Sequence, residues 1–534
     1  MLSEANSSRV SLLIASSFAA YAVHEAWPKL SSTAPGLASL MLVSTLGGVG
    51  LACTLLVGRW RSLGFLSAPT VLASALLLVA ADLAGSISAG RVVYSTDGMA
   101  FVHGAALEAL SGRNPYAVSL EGYLWAFGLS LRHVTPTMDG GFVRELTYPS
   151  LSFLAFTPFL SAGVVDLRLA VLAFYAASLV AAYLLAPRRG RLLSFTASAA
   201  VLTLLSVNGV FDVVWVLLLI LSLNARARGH RWLGWALLGL SASYKQLAWA
   251  AVPLVALREA RSNGLRSSLL AAATCLAAFL ALNLPFMLSD TLAWARGVLR
   301  PAWPSLAPMV PAGGGLVSLL YLGVPLPIAF LNGAAAATYT ALLALHAVSA
   351  RPRWRLAWLT LPFAFILLPR SYPIYWLCWV PVAALDPGLD AAQPMRAKPL
   401  AAGRARWIAG LYALSLAILL ASAAAWMMRQ PLKIGAVEAL DLDGDGSFEA
   451  LRVEVSNRGE ASIKPLLAVT LSHNAYYWRL VDGPRELRGG STATYLFVAP
   501  DPSVRLPMGS CFTVFLNDEV SPQVFTASGL HRAA

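Results

Sequence analysis

The chain has 534 residues, of which 58% are hydrophobic and only 12% charged, with a formal net charge of +13. Soluble domains carry about 25% charged residues, so a water-soluble enzyme of this length is excluded. The basic excess sits in short clusters between apolar blocks, the pattern that the positive-inside rule gives cytoplasmic loops, and it calls for no nucleic-acid partner.

Apolar blocks of about 20 residues, enough to cross a hydrocarbon core about 30 Å thick, start with Val10–Trp27, Leu37–Val57 and Phe65–Ile87. Placing Arg59 and Arg61 in the cytoplasm puts the N-terminus inside and delivers the chain outside near Ala89. A mostly non-spanning stretch, 90–147, follows as a large external loop. Basic clusters then recur at Arg188/Arg189/Arg191, Arg226/Arg228/Arg231, Arg258/Arg261/Arg266, Arg351/Arg353/Arg355 and Arg396/Lys398/Arg404/Arg406. Each gap holds enough apolar residues for an out-and-back pair of helices, and the opposite turns near Asn208, Lys245 and Arg370 are poor in positive charge. A Trp- and Pro-rich segment from Ser289 suits the membrane interface.

Between Tyr148 and Pro187 two apolar blocks meet at Asp166 and Arg168 and break the parity, so one block is re-entrant or one basic cluster faces outward. The total is about eleven to thirteen spans, the last being Trp407–Met427. Past Pro431, the runs LRVEVSN, LLAVTLS, ATYLFVA and CFTVFLN are separated by Gly, Pro and Asn turns, the signature of an antiparallel β-sandwich. The expected fold class is mainly α: a polytopic transmembrane helical bundle over 1–430, with an extracytoplasmic β-sandwich over 431–534. Cys53, Cys275, Cys378 and Cys511 show no CxxC spacing and indicate neither a disulfide framework nor a zinc site.

Ionisable residues at a membrane edge are functional candidates, because burying a charge there costs several kcal/mol. In the segment Tyr94–Ala117, Asp97 precedes a helical stretch in which Met99, Val102, Ala106 and Leu110 share a face. Thr96 or Asp97 caps it, and Gly112 with Asn114-Pro115 ends it. Two readings of Asp97 stand side by side: an N-cap and nothing more, or a carboxylate fixed at the membrane surface for chemistry.

The order TDG at Thr96–Gly98, GRNPY at Gly112–Tyr116 and YPSL at Tyr148–Leu151 resembles the superfamily C glycosyltransferases. These are polytopic enzymes that use polyprenyl-phosphate sugars on the extracytoplasmic face. The resemblance is closest to the polyprenol-phosphate-mannose-dependent mannosyltransferases of bacterial lipoglycan assembly and their archaeal relatives. In that group an early acid in the first large external loop precedes a G-x-NPY element, and a YPPL element opens the next helix; Ser150 replaces the second proline here. Asp212 and Lys245 match the polar positions of a helical pair whose usual Gln is Val210 in this chain, and RSYPIYW, with Arg370 and Tyr372, looks like a further external element.

The resemblance implies transfer of a hexose such as mannose from a polyprenyl-phosphate donor to a lipid, glycan or protein acceptor, with inversion and with Asp97 as general base. A lipid phosphate leaving group needs cations, and Arg144, Lys245, Arg296 and Arg370 are candidates by position, with snorkelling the alternative for Lys245 and an interfacial role for Arg296 and Arg300. His103 is a candidate for acceptor or phosphate, Glu145 for a second acid, Asp212 for a polar site residue, and Asn114, Tyr116, Tyr148 and Tyr372 for substrate contact. No resident cofactor follows from the residues; a divalent cation stays open.

DLDGDGSFEALR places Asp441, Asp443 and Asp445 at calcium-loop positions, but Arg452 stands where an EF-hand needs Glu, so a tight acidic turn with optional weak calcium is expected. Rival functions are a lipid or solute transporter or flippase, against which the absence of matching Gly/Pro-broken halves speaks, and a non-catalytic relative whose β-domain binds glycans.

Overall fold

The computed structural model describes residues 4–33, 66–188, 190–300, 309–349, 354–386, 402–471, 474–522, 525–528 and 530–533. The expected span Leu37–Val57, the Arg59/Arg61 pair, Arg189, Arg351, Arg353, Arg396 and Lys398 lie outside them.

Helices α1 (Glu4–Thr33) and α2 (Ser67–Ala89) pack side by side. The 90–147 loop carries α3 (Asp97–Leu110) and the short α4 (Glu121–Ala126). Then come α5 (Leu151–Leu154), α6 (Thr157–Ser161), α7 (Leu167–Leu185) and α8 (Arg191–Leu204). A tight pair, α9 (Val213–Ala227) and α10 (Arg231–Tyr244), is followed by α11 (Ala251–Asn263), α12 (Leu265–Ser289) and α13 (Thr291–Leu299). Strand β1 (Ala312–Gly313) precedes α14 (Ile328–Val348) and α15 (Trp354–Ile366); β2 (Arg370–Ser371), α16 (Pro373–Leu377), α17 (Trp379–Leu385) and α18 (Ala402–Arg429) complete the helical part.

Among the described residues five helical stretches are long and apolar enough to cross a membrane: α2, α7, α12, α14 and Arg406–Met428 of α18. The other apolar helical stretches, among them Val10–Ala26 within the 30-residue α1, run 10–17 residues and do not by themselves confirm the expected count of spans. The cause is polar punctuation: α9 lies between Asp212 and Arg228, and α10 between Arg231 and Lys245. Similarly, the first block after Tyr148 breaks into α5 and α6 before Gly163 (φ +85°), whereas α7 runs 19 residues.

Small residues let the helices approach: a Cβ at Gly239 of α10 would strike the Cys275 carbonyl of α12. The centre is filled by Trp215, Trp235 and Trp379, with Trp358 stacked on Trp379 at 6.0 Å. Arginines gather at one end of this bundle. Arg226 and Arg231 lie 2.7 and 3.0 Å from the Glu259 carboxylate, Arg258 lies 3.0 Å from Asp386, and Arg261 donates to the His346 and Ser349 carbonyls at the end of α14. Asp82, inside α2, is engaged within the protein, lying 3.9 Å from Arg168, which also pairs with Asp166.

After Arg429 the chain is mostly strand: β3 (Leu432–Leu440), β4 (Ser447–Phe448), β5 (Ala450–Asn457), β6 (Pro465–Leu471), β7 (Asn474–Asp482), β8 (Thr492–Val498), β9 (Leu506–Pro507), β10 (Cys511–Asp518), β11 (Phe525–Ala527) and β12 (His531–Arg532). The expected two-sheet sandwich is replaced by one eight-stranded sheet in the order β11-β10-β6-β7-β8-β5-β3, with β12 on β10. Strand β7 serves both halves: Asn474–Trp478 pairs with β6, and beyond it Arg479–Asp482 pairs with β8 across a register shift at Leu480/Asp482. That irregularity turns the sheet, and the terminal strands β3 and β11 meet, so the domain is nearly a closed barrel around Leu451, Val453, Leu467, Trp478 and Phe497.

Candidate active site

Helices α9 and α10 each run from the arginine end of the bundle to the opposite end, where Asp212 and Lys245 stand, roughly 20 Å away at 1.5 Å per residue. At that opposite end a cavity of about 1060 Å³ opens between the 90–147 loop, the α9–α10 pair, α14, α15 and the segment around Arg370.

The position of Asp97 follows from its neighbours. Thr96 is extended (φ −141°, ψ 145°) and is the N-cap of α3: its hydroxyl accepts from Met99 N at 3.4 Å and donates to Gly209 O at 2.9 Å. The cap-only reading of Asp97 therefore falls, since Asp97 is the first helical residue and its side chain lines the cavity. The Asn208–Gly209 turn that receives Thr96 has both φ angles positive, 56° and 74°, and a Cβ at Gly209 would lie 2.6 Å from the Thr96 hydroxyl. Burial pushes the Asp97 carboxyl above the ordinary range, while Thr135, Arg370 and the Gly98 backbone pull it back. A carboxylate whose affinity for a proton is raised above the ordinary is better suited to taking one.

Lys245 lies 2.7 Å from Asp212, both buried, with Trp215 Nε1 donating to the second Asp212 oxygen at 2.6 Å. The ammonium also sits 5.2 Å from the Tyr148 and Phe211 rings and 6.0 Å from Tyr375. Lys245 is therefore held in an aromatic box rather than snorkelling. Arg370 is fixed by the β1–β2 pairing; it donates to Val310 O at 3.0 Å and to the Tyr372 hydroxyl at 2.8 Å. The same cavity is also lined by apolar side chains, Ile328, Ala335, Ala336 and Tyr339 of α14 with Phe365 and Leu368.

Asp97, Tyr148, Asp212, Lys245, Arg370 and Tyr372 thus share one cavity. The other candidates are engaged elsewhere. His103 is buried, stacked on Phe127 at 4.4 Å and bonded to the Tyr94 hydroxyl at 2.9 Å, and burial pushes its imidazole down to about 4. Asn114 accepts from Tyr116 N and closes a turn, and Tyr116 donates to Tyr148 O at 2.8 Å, so both shape the wall from behind. Arg144 pairs with Glu121 at 3.2 Å on the loop surface and does not line the cavity. Glu145 lies 3.0 Å from Arg300, and it is Arg300, expected at the interface, that lines the cavity. Arg296 does not.

Residues that spacing did not single out also line it: Arg132, His133, Gln246, Tyr339, Tyr375 and Tyr476. Gln246, beside Lys245, ties Thr147 O (2.6 Å) to Val298 O (2.8 Å). The adjacency of Gln246 to Lys245 and the place of Tyr375 within RSYPIYW offered a signal; the others arrive through tertiary structure.

The acidic turn of the β-domain differs from the expected set. Asp441, Asp443 and Glu449 converge within 4.8 Å, and Asp445 turns instead to Ser447 N at 2.7 Å. The cluster is already provided with donors: Gly444 N and Gly446 N to Asp441, Leu442 N and Asp443 N to Glu449, and Arg505 to Asp443 and Asp445. These donors hold the shape of the turn by themselves. Chelation with EGTA is expected to move the unfolding midpoint of the β-domain by less than about 1 °C, read by differential scanning calorimetry; a fall of several degrees would make calcium structural.

No family model, curated protein or solved structure matches this chain.

Proposed function

We propose that this protein is a membrane glycosyltransferase that moves a hexose from a polyprenyl-phosphate donor to an extracytoplasmic acceptor, in the manner of the superfamily C enzymes its motifs resemble. The observation that carries this reading is the mixed polarity of one cavity's lining: the charged Asp97, Arg132, Arg300 and Arg370 together with apolar side chains of α14 and α15. A phosphate between a sugar and a long hydrocarbon tail has that same polarity.

In this reading the acceptor hydroxyl attacks the anomeric carbon as its bond to the phosphate oxygen breaks. The bond's electron pair leaves with the lipid phosphate, and the hydroxyl proton passes to the Asp97 carboxylate, giving inversion. Arg370 and Arg132 take up the charge gathering on the leaving phosphate, guanidinium forks being matched to its oxygens. Lys245, paired with Asp212, shapes the floor and contributes a weaker field. The side bearing Asp97 is taken as the extracytoplasmic one, because the arginine-rich loops lie at the other end of the helices.

The test is release of polyprenyl phosphate from a polyprenyl-phosphate hexose by the purified protein in nanodiscs. Ala336→Trp, which crowds the apolar part of the lining, is expected to raise the KM for the lipid donor about tenfold with kcat little changed, since it removes uniform binding only. Solute flux without sugar transfer would instead favour a transporter.

A further inference from the structure

The C-terminal β-domain reaches into the cavity. Tyr476 of β7 lines it, and the Tyr476 hydroxyl donates to the Arg132 carbonyl at 2.9 Å. Asn517 of β10 donates from Nδ2 to Met138 O at 2.6 Å, while its Oδ1 accepts from the Tyr477 hydroxyl at 2.7 Å. Leu466 of β6 closes over Gly140, where a Cβ would lie 3.2 Å away, and Met138 is buried in a cluster with Ala468, Ala475, Phe515 and Phe525. All these anchors seize one segment, 131–143, which folds back on itself through Thr137 N to Gly141 O and Val143 N to Thr135 O.

The other face of the segment presents Arg132, His133, Val134 and Thr135 to the cavity, and Thr135 stands against Asp97. A two-stranded turn this short is marginal alone and needs a surface to hold its shape. The β-domain provides that surface.

We infer that Tyr476 and Asn517 are positioning residues: by gripping the Arg132 and Met138 carbonyls they hold Thr135 against Asp97, so the β-domain is part of the site and not an appended module. This rests on the reading of Asp97 as the base. Loosening the segment withdraws Thr135, which favours the ionised carboxylate, and the carboxyl pKa then rises. Activity that needs ionised Asp97 falls as pH drops through that value, so its acid limb moves upward. The groups around Asp97 whose charge also acts there are His133 and Arg132 on the segment, Tyr148, the Asp212–Lys245 pair, Arg300 and Arg370 with Tyr372 and Tyr375.

Tyr476→Phe keeps the ring and removes the grip; Tyr495→Phe, whose hydroxyl lies inside the β-domain without a partner, is the control. In the full-length protein, hydrogen–deuterium exchange is expected to quicken about fivefold in 131–143 for Tyr476→Phe, the size of one net hydrogen bond, with the β-strands unchanged. The acid limb of sugar transfer is expected to shift up by about half a pH unit. The control changes neither. Unchanged exchange in 131–143, or faster exchange with an unshifted acid limb, overturns the proposal. A wild-type protein that transfers no sugar removes the role of Asp97 as base, and the exchange data then decide the grip by themselves.

Discussion

Asp97→Asn is expected to lower kcat for sugar transfer about 10³-fold, within the range a positioned general base contributes, and to leave the KM for the lipid donor nearly unchanged. Asparagine keeps the shape of the side chain but cannot accept the proton. The fold is not expected to suffer, because Thr96 and not Asp97 caps α3. Stability should even rise. The folded carboxyl is held above its ordinary value by burial, so the stabilising state is the protonated one, and stability is lost as pH climbs through the folded pKa. At neutral pH the wild type therefore bears a cost that the amide lacks. Thermal unfolding from pH 7 down to about pH 3 checks this: the variant should equal or exceed wild type at pH 7, and the two should converge only once the pH is below the ordinary carboxylate range.

Asp212→Asn is expected to act in the opposite way, on the fold first. Lys245 would then stand buried in its box of Tyr148, Phe211 and Tyr375 with no counter-charge. Removing one partner of a buried pair costs about 3–5 kcal/mol, which should appear as a marked fall in the unfolding midpoint. Replacing both, as Asp212→Leu with Lys245→Met, removes the uncompensated charge and should restore most of the stability. If Lys245 also serves the donor phosphate, the double variant will be stable yet slow in transfer. Recovery of both stability and rate would confine the pair to architecture.

The legible part of the molecule was the part governed by local pattern. Apolar blocks announced the long helices, and the clusters at Arg226, Arg231 and Arg258 announced a shared face because charge repels burial wherever it occurs in a chain. Thr96-Asp97-Gly98 was visible as a helix start, since capping chemistry is written in three or four consecutive residues. Which of Thr96 and Asp97 does the capping was not, because it turns on the Gly209 carbonyl 113 residues away in sequence. His103 illustrates the opposite error: a polar residue in a functional loop looks available until Tyr94 and Phe127 enclose it. The β-domain showed its strands by alternation but not its closure, because the register shift within β7 has no mark in the residue pattern. Tyr476 and Arg132 were out of reach altogether, being joined only by tertiary structure.

The central claim, that a lipid-phosphate sugar is held with its anomeric carbon before position 97, is tested most directly by determining the structure of Asp97→Asn with a polyprenyl-phosphate hexose bound. The expected density puts the phosphate between Arg132 and Arg370, the sugar beside position 97 and the tail along Ala335, Ala336 and Tyr339. A donor seated at the Glu259 end of the helices, or one whose phosphate lies outside this cavity, would contradict it.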